Sequence, residues 1–501
     1  VNSLTNAFVN SLTNSLSDPA DILTIAWVIL PFFAGFVSYL LPRLTRYLTL
    51  GVAMASALYA LLLFVAPSPL TLTLLDHFGV TLLLDRLSSY FILTNALVTA
   101  AVLLYCWGTN KSTFFYAQML IVHGSINAAF ACTDFVSLYV ALEVSGIAAF
   151  LLIAYPRTDR SIWVALRYLF ISNTAMLFYL IGTALVYQAT QSFSFAGLSQ
   201  APPEAMALIF VGLLVKGGIF VSGLWLPLTH SESETPVSAL LSGIVVKAGV
   251  YPLVRCALLV EASDPIVRSF GVATALLGVS YAVFEKDSKR MLAFHTVSQL
   301  GFILAAPEVG GFYALTHGLV KSALFLLAGT LPSRSFKTLQ QQPLDRRIWV
   351  ALAMASFSIS GFPLLSGFGA KVLTMQSLAA WQVIGMNLAA LGTAISFAKF
   401  IFLPIGSQTA VRPGLWAALL LLLGGLVAAN LVYLDAYTLA NIIKPLATIG
   451  AGWLLYFLVF RHSVVRLPRL FEQFEHLIGV ISLSLVVLFW MAFARWSEAI
   501  G

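Results

Sequence analysis

Val215-Lys216-Gly217-Gly218, followed by Trp225-Leu226-Pro227 and Pro236, puts a lysine, a glycine pair and two prolines into one apolar stretch. A second stretch has the same ingredients: Gly361-Phe362-Pro363, then Gly367-Phe368-Gly369-Ala370-Lys371. Breaking a helix at such points frees backbone carbonyls and amides, and in a bilayer these need water or protein partners. Interrupted helices in corresponding halves of a chain are the best pointer in a sequence to a transport site. A kink used only for packing is the alternative, and the adjacent lysine argues against it.

Working outward, each broken stretch is followed one span later by another lysine: Lys247 lies 31 residues after Lys216, and Lys399 lies 28 after Lys371. The fifth and tenth spans carry Glu143 and His295. Spans four to eight (residues 113–262) and nine to thirteen (residues 266–404) therefore read as two copies of a five-helix unit. Five is odd, so the copies are inverted, each forming one half-channel. Residues 22–107 and 413–501 are expected to be peripheral helices, and residues 1–21 a polar lead-in without the basic start of a signal peptide.

Composition agrees. The chain has 501 residues, is 60% hydrophobic and only 9% charged, against about 25% charge in an ordinary soluble domain. Continuous apolar runs such as Ile22 to Leu41 and Leu415 to Val432 exclude a β-barrel, whose strands alternate. The fold class is an all-α polytopic membrane protein with about 14–16 transmembrane helices. Candidate spans start near Ile22, Leu48, Leu87, Thr113, Phe135, Trp163, Glu204, Pro236, Ile266, Arg290, Gly311, Trp349, Ser377, Gly414, Tyr437 and Ile478. Odd-numbered loops hold most basic residues, among them Arg43, Lys111, Arg160, Lys286, Lys289, Arg334, Arg347, Arg412 and Arg466; even-numbered loops hold little beyond Arg86, Arg255 and Arg268. The positive-inside rule puts the odd loops in the cytoplasm and the N-terminus on the non-cytoplasmic side.

Cys106, Cys132 and Cys256 stand singly in apolar surroundings and read as buried thiols. No nucleotide loop, haem ligand pair or iron–sulfur cysteine set is visible, so no cofactor, metal, nucleic-acid partner or redox catalysis is expected of this chain.

What remains is a line of ionisable groups at depth. An ionisable residue inside a membrane span is by default a functional clue, and lysine, unlike arginine, can give up its proton when desolvated. Glu143, in Leu138-Tyr-Val-Ala-Leu-Glu143-Val-Ser-Gly146, needs a cation, and Lys216 is its natural partner. Because buried ion pairs are weak stabilisers, the pair reads as a switch: when it opens, Lys216 loses its counter-ion and passes its proton to Lys247. His317 and Lys321 are one helical turn apart and share a face, and histidine can relay protons. Lys371 and Lys399 continue the line, and His295 lies near it. Water is expected to bridge successive spans, about 8–10 Å apart. Lys444, Arg167 and Arg255 are read as interfacial, with their charges reaching the headgroups. His230, Glu232 and Glu234 fall in a loop that is either a cytoplasmic mouth or simply solvated.

These residues resemble a known family: the antiporter-like subunits shared by Mrp-type cation/proton antiporters, respiratory complex I and membrane-bound hydrogenases. The resemblance rests on Leu224-Trp-Leu-Pro227, Thr235-Pro-Val-Ser-Ala-Leu-Leu-Ser-Gly243 through Lys247 to Tyr251 and Arg255, Asp287-Ser-Lys-Arg290, Ser298-Gln-Leu-Gly301, Thr316-His-Gly-Leu-Val-Lys321 and Gly361-Phe-Pro-Leu-Leu-Ser-Gly-Phe368. It implies that Glu143 and Lys216 form the family's switching pair, Lys247 its helix-eight lysine, His317 and Lys321 its central site and Lys371 its terminal lysine. Lysine at 371 is similar to the Mrp D subunit or a hydrogenase-type homologue rather than to the complex I branch with glutamate there. Leu228, directly after Trp225-Leu226-Pro227, departs from the usual acidic or small residue. The resemblance implies a proton-translocating subunit of a hetero-oligomeric complex in a bacterial plasma or thylakoid-type membrane, exchanging protons for Na+ in an Mrp assembly. The alternatives are a proton-pumping subunit of a complex I-like NAD(P)H or ferredoxin:quinone oxidoreductase, a translocase whose redox chemistry occurs in other chains, or a proton-coupling module for an uptake protein.

Overall fold

The computed structural model describes residues 18–74, 80–406, 413–462, 465 and 467–500. Most of the N-terminal lead-in and two loop arginines, Arg412 and Arg466, lie outside the described residues. The helices are α1 (Pro19–Leu40), α2 (Thr45–Val65), α3 (Arg86–Cys106), α4 (Thr113–Ala129), α5 (Phe135–Ile153), α6 (Asp159–Thr190), α7 (Pro203–Gly217), α8 (Leu226–Glu232), α9 (Thr235–Leu259), α10 (Asp264–Phe284), α11 (Ser288–Ala305), α12 (Gly310–Ala328), α13 (Arg346–Ser360), α14 (Ser366–Gln376), α15 (Val383–Ile401), α16 (Pro413–Asn430), α17 (Leu439–Leu458) and α18 (Phe474–Ile500). An antiparallel ribbon, β1 (Leu70–Thr73) with β2 (Thr81–Leu84), joins α2 to α3.

Thirteen helical segments among the described residues are long and apolar enough to cross a membrane. The other three expected spans are occupied by α4, α11 and the pair α13/α14, which are shorter, more polar or broken. Each of the sixteen expected spans therefore has a helix that begins within a few residues of its expected start. The chain is an integral membrane protein.

Burial sorts these helices. α9 and the span containing α12 are buried along their whole apolar windows, and every residue of α11 is buried too. Helices α1, α2, α16, α17 and α18 keep long apolar faces exposed, as Phe36, Leu58, Leu420, Leu458 and Trp490 illustrate. Polar and ionisable groups are thus concentrated on the innermost helices, while the rim helices expose apolar side chains.

The two breaks end alike. α7 stops at Gly218 with φ +69°, and α13 stops at Gly361 with φ +82°. Both glycines sit in the left-handed region and close a helix end by bonding back to its last carbonyls. The indole of Trp225 donates to the Val215 carbonyl at 2.8 Å, tying the chain beyond the first break to the helix before it. The lysines occupy different places relative to these breaks. Lys216 lies before the first, and Lys371 lies after the second. Glu143 and His295 correspond better: they sit 8 residues into α5 (143 − 135) and 7 residues into α11 (295 − 288).

Three expectations change. Arg255 does not reach for headgroups: it is buried and makes a bidentate pair with Asp85, Nη1 to Oδ2 at 2.5 Å and Nη2 to Oδ1 at 2.8 Å. Burial pushes the Asp85 carboxyl up, but Arg255 and Ser88 outweigh it and hold it below the usual carboxylate value. Arg167 is also buried, donating to the Glu472 backbone carbonyl. His230 is not in a solvated loop. It lies inside the short helix α8, against the rings of Trp225 and Phe325.

Candidate proton pathway

The first half-channel centres on three helices. Lys216 Nζ, in the last turn of α7, is 4.0 Å from Glu143 Oε1 on α5 and donates to Ser172 Oγ on α6 at 2.8 Å. Glu143 Oε1 is buried and accepts no hydrogen bond among the described residues. The amine therefore sits between two acceptors, bonded to the neutral one and just beyond bonding distance of the charged one. It gets there because α5 has no side chain at Gly146: a Cβ there would be 2.7 Å from Lys216 Nζ. Gly146 is one turn from Glu143, so the helix that supplies the carboxylate also leaves room for the amine.

Lys247 lies just beyond a π turn, Leu241–Val245, in α9. A π turn leaves backbone carbonyls out of the regular ladder, and Lys247 Nζ takes two of them, Gly243 O at 2.5 Å and Ser242 O at 3.3 Å. Gly318 of α12 faces this amine: a Cβ there would be 3.6 Å from it. On the same helix Lys321 donates to the Leu292 carbonyl of α11. His317 lies within the electrostatic reach of both Lys247 and Lys321, and neither of its ring nitrogens has a hydrogen-bond partner among the described residues.

His295 is a junction. Its ring nitrogens are buried and unpartnered, and the charges of Lys321, Lys399 and Lys371 all reach it. Beyond it, Gln299 accepts from the Tyr313 hydroxyl at 2.5 Å. Tyr313 stacks on Phe302, over whose ring Lys371 Nζ sits at 5.3 Å. Lys371 donates to the Ile359 and Ser360 carbonyls at 3.2 and 3.3 Å, the end of α13 that the Gly361 break leaves open. Lys247, His317, Lys321 and His295 are thus buried on the neighbouring helices α9, α12 and α11, and Lys216 and Lys371 are buried beside the two helix breaks.

The Lys399 amine donates to three carbonyls, Ala282, Val283 and Glu285, at 3.1, 2.7 and 2.8 Å. It caps the end of α10 beside a cleft on the basic-loop face that Lys286 and Lys337 also line. Like Lys247 and Lys371 it is buried and bonded to backbone carbonyls, and its charge also reaches His295.

Sequence reasoning missed Ser172, Gln299 and Tyr313. It placed His230 and Lys289 outside the membrane core. Lys289 is buried and donates to the Ser233 carbonyl at 2.6 Å. It lines a cavity of about 970 Å³ on the basic-loop face together with the Lys111–Glu234 pair. Glu232 and Glu234 are held by Arg160, Arg334 and Lys111.

Residues 132–396 match the family model described as NADH:quinone oxidoreductase/Mrp antiporter, TM. The chain belongs to this family. Among curated relatives, the N subunit of the NADH-quinone oxidoreductase of Desulforudis audaxviator is 31% identical over 76% of this chain and 85% of that protein. The D subunit of the Na(+)/H(+) antiporter of Alkalihalophilus pseudofirmus is 28% identical over 64% of this chain and 70% of that protein. The fold is that of a chain in the archaeal membrane-bound sulfane sulfur reductase (TM-score 0.74, 21% identity, covering 86% of this chain and 98% of that one). It is equally that of a chain in the Mrp complex from Dietzia sp. DQ12-45-1b (TM-score 0.70, 21% identity, 91% and 99%). This member is an antiporter-like membrane subunit.

Proposed function

We propose that this antiporter-like subunit carries protons across the membrane along Glu143/Lys216, Lys247, His317/Lys321, His295 and Lys371, within a hetero-oligomeric complex. The observation that carries the reading is the Glu143–Lys216–Ser172 triangle. The amine bonds a neutral hydroxyl while a bare carboxylate stands 4.0 Å away. Small movements of α5 or α7 would exchange these partners and change the amine's hold on its proton. A static pair would be closed and fully hydrogen-bonded.

The parent complex is proposed to be of Mrp type, exchanging a monovalent cation, Na+ first, for protons. Lysine at 371 and the likeness to the Na(+)/H(+) antiporter relative favour it. The likeness to the NADH-quinone oxidoreductase relative favours a second reading, in which electron transfer in other subunits drives the same pathway. The basic loops face the cytoplasm and the N-terminus lies on the opposite side. One experiment separates the readings. Vesicles containing the whole native complex are given a pH gradient, and its collapse is followed on adding Na+, with Lys216→Ala and Lys371→Ala alongside wild type. Collapse in wild type and in neither variant supports antiport. No Na+ response, with proton pumping on adding an electron donor, moves the subunit to the redox-driven class. No proton movement under either condition refutes the pathway.

A further inference from the structure

The positive-inside rule scatters cations over the whole basic-loop face, but separate chain segments gather them around one cleft. This cleft, of about 520 Å³, lies between the end of α10, the short turn Phe336–Leu339, α15 and the end of α17. It sits where α17 leaves its apolar span, Leu439–Phe460. Lys286, Lys337 and Arg461 stand exposed around it. The acids nearby are spent on other bases: Glu285 pairs with Arg290 and Arg469, and Asp287 with Arg334. Lys286, Lys337 and Arg461 form no ion pair among the described residues. Lys399 closes the inner end, its three protons spent on carbonyls. Tyr456 also lines the cleft and is only 3% exposed. Its oxygen accepts from Gln340 Nε2 at 3.4 Å, and its own proton has no acceptor among the described residues. Phe284 and Phe460, with ring centroids 5.4 Å apart, add an apolar wall. Just before Phe460 on α17, Leu454 and Leu458 are one turn apart and share an exposed apolar face.

We infer that this cleft is a binding site for an anionic phospholipid, whose phosphodiester is held by Lys286, Lys337, Arg461 and the Tyr456 hydroxyl. The site is separate from the proposed proton pathway and does not depend on it. Three unpaired cations and one buried hydroxyl donor match a phosphate monoanion, whose free oxygens only accept. The volume is that of a small-ligand site, about 300–1,000 Å³. Lysines and arginines at the level of the headgroups attract anionic lipids. The apolar wall and the Leu454/Leu458 face continue the cleft toward the hydrocarbon, which suits acyl chains and offers a free phosphate nothing. Bound there, the lipid bridges α10, the Phe336–Leu339 turn and α17.

The test uses the purified whole complex in nanodiscs of phosphatidylcholine, with a trace of phosphatidylglycerol that carries a photoreactive acyl chain. Adducts are mapped by peptide mass spectrometry. The expected label falls on α17 around Leu454 and Leu458. Unlabelled phosphatidylglycerol should displace it, and added phosphatidylcholine or millimolar inorganic phosphate should not. Lys286→Gln, Lys337→Gln and Arg461→Gln should each lower labelling about fivefold, the effect of one cation beside anionic headgroups, and the triple variant about a hundredfold. Tyr456→Phe should lower it a few-fold, and Lys337→Arg should keep it. Arg346→Gln, which removes an exposed cation outside the cleft on the same face, should leave it unchanged. Equal displacement by phosphatidylcholine, or unchanged labelling in the three single variants, overturns the site. Displacement by inorganic phosphate as effective as by phosphatidylglycerol overturns the lipid assignment in favour of a soluble anion. A loss in Arg346→Gln equal to that of the cleft variants reduces the effect to the charge of the whole face and overturns the site as well. If the triple variant fails to assemble on native gels, the displacement series on wild type and the single variants decide.

Discussion

Replacing Glu143 by Gln keeps the side chain's size and removes its charge. At 4.0 Å from Lys216 Nζ, with an effective dielectric constant of about 20, a unit pair is worth about 4 kcal/mol. The Glu143 side chain is 19% exposed, so solvent screening brings the expected loss to roughly 2–3 kcal/mol. Each 1.4 kcal/mol is about tenfold in an equilibrium, so the charged, proton-loaded state of Lys216 falls about 30- to 150-fold. Cation-dependent collapse of a pH gradient in vesicles of the whole complex should drop to a few per cent of wild type, with Glu143→Asp in between. Lys216→Met should do the same alone, and the double variant should be no worse than either, because groups acting as one unit are not additive. Glu143→Gln at wild-type rate, or a double variant as slow as the product of the singles, refutes the switch.

Ser172→Ala removes the neutral acceptor and should slow transport about tenfold, the cost of a hydrogen bond to a charged group, while complex assembly on native gels is unchanged. Gly218→Ala puts a Cβ at φ +69° and 2.7 Å from Leu226 Cδ1. About 1–3 kcal/mol of strain should lower the melting temperature of the purified complex. Asp85→Asn leaves Arg255 buried without its counter-ion and should destabilise by about 3–5 kcal/mol, seen in the same melt; Arg255→Met should recover part of the loss in that background. Burial pushes the Glu285 carboxyl up, but Arg290 and the Lys286 and Asp287 amides hold it below its ordinary 4.5. Its stabilising contribution is therefore full above pH 4.5 and is lost as pH falls through the lowered folded value. Glu285→Gln should flatten that acid limb and leave stability at neutral pH reduced. Lys399→Arg should keep most transport, because a guanidinium can still cap three carbonyls, whereas Lys371→Arg should abolish it, because arginine does not release its proton.

The membrane architecture was legible because apolar runs as long as a bilayer have few other uses. Helix breaks were legible too, since Gly218 and Gly361 adopt left-handed angles that favour glycine over residues with a Cβ. The charged members of the candidate site stood out for an energetic reason: a lysine inside an apolar run needs a cause. The uncharged members carried no such signal. Ser172 differs in no local way from Ser125 or Thr183, whose hydroxyls bond back to carbonyls of their own helices. Only the approach of α7 to α6 gives Ser172 its amine.

The misplacements have one physical origin. His230 sits among Ser231, Glu232, Ser233 and Glu234, a composition that reads as a solvated loop. Yet His230 on α8 is buried against Trp225 and Phe325, while Glu232 at the helix end points to Arg160 and Arg334 and Glu234, just beyond it, to Lys111. Lys399 reads as one more lysine in an apolar run, with nothing in its neighbours to announce the end of α10 more than a hundred residues earlier in the chain. In each case the deciding partner belongs to another helix. Chemistry at depth in this protein is set less by which ionisable residues a span contains than by which carbonyls its neighbours leave unpaired. The π turn supplies them to Lys247, the Gly361 break to Lys371 and the end of α10 to Lys399. The third acceptor set lies at a cleft on the basic-loop face. On the proposed pathway Lys247 and Lys371 are the lysines that carry protons, while Lys399 holds the end of α10.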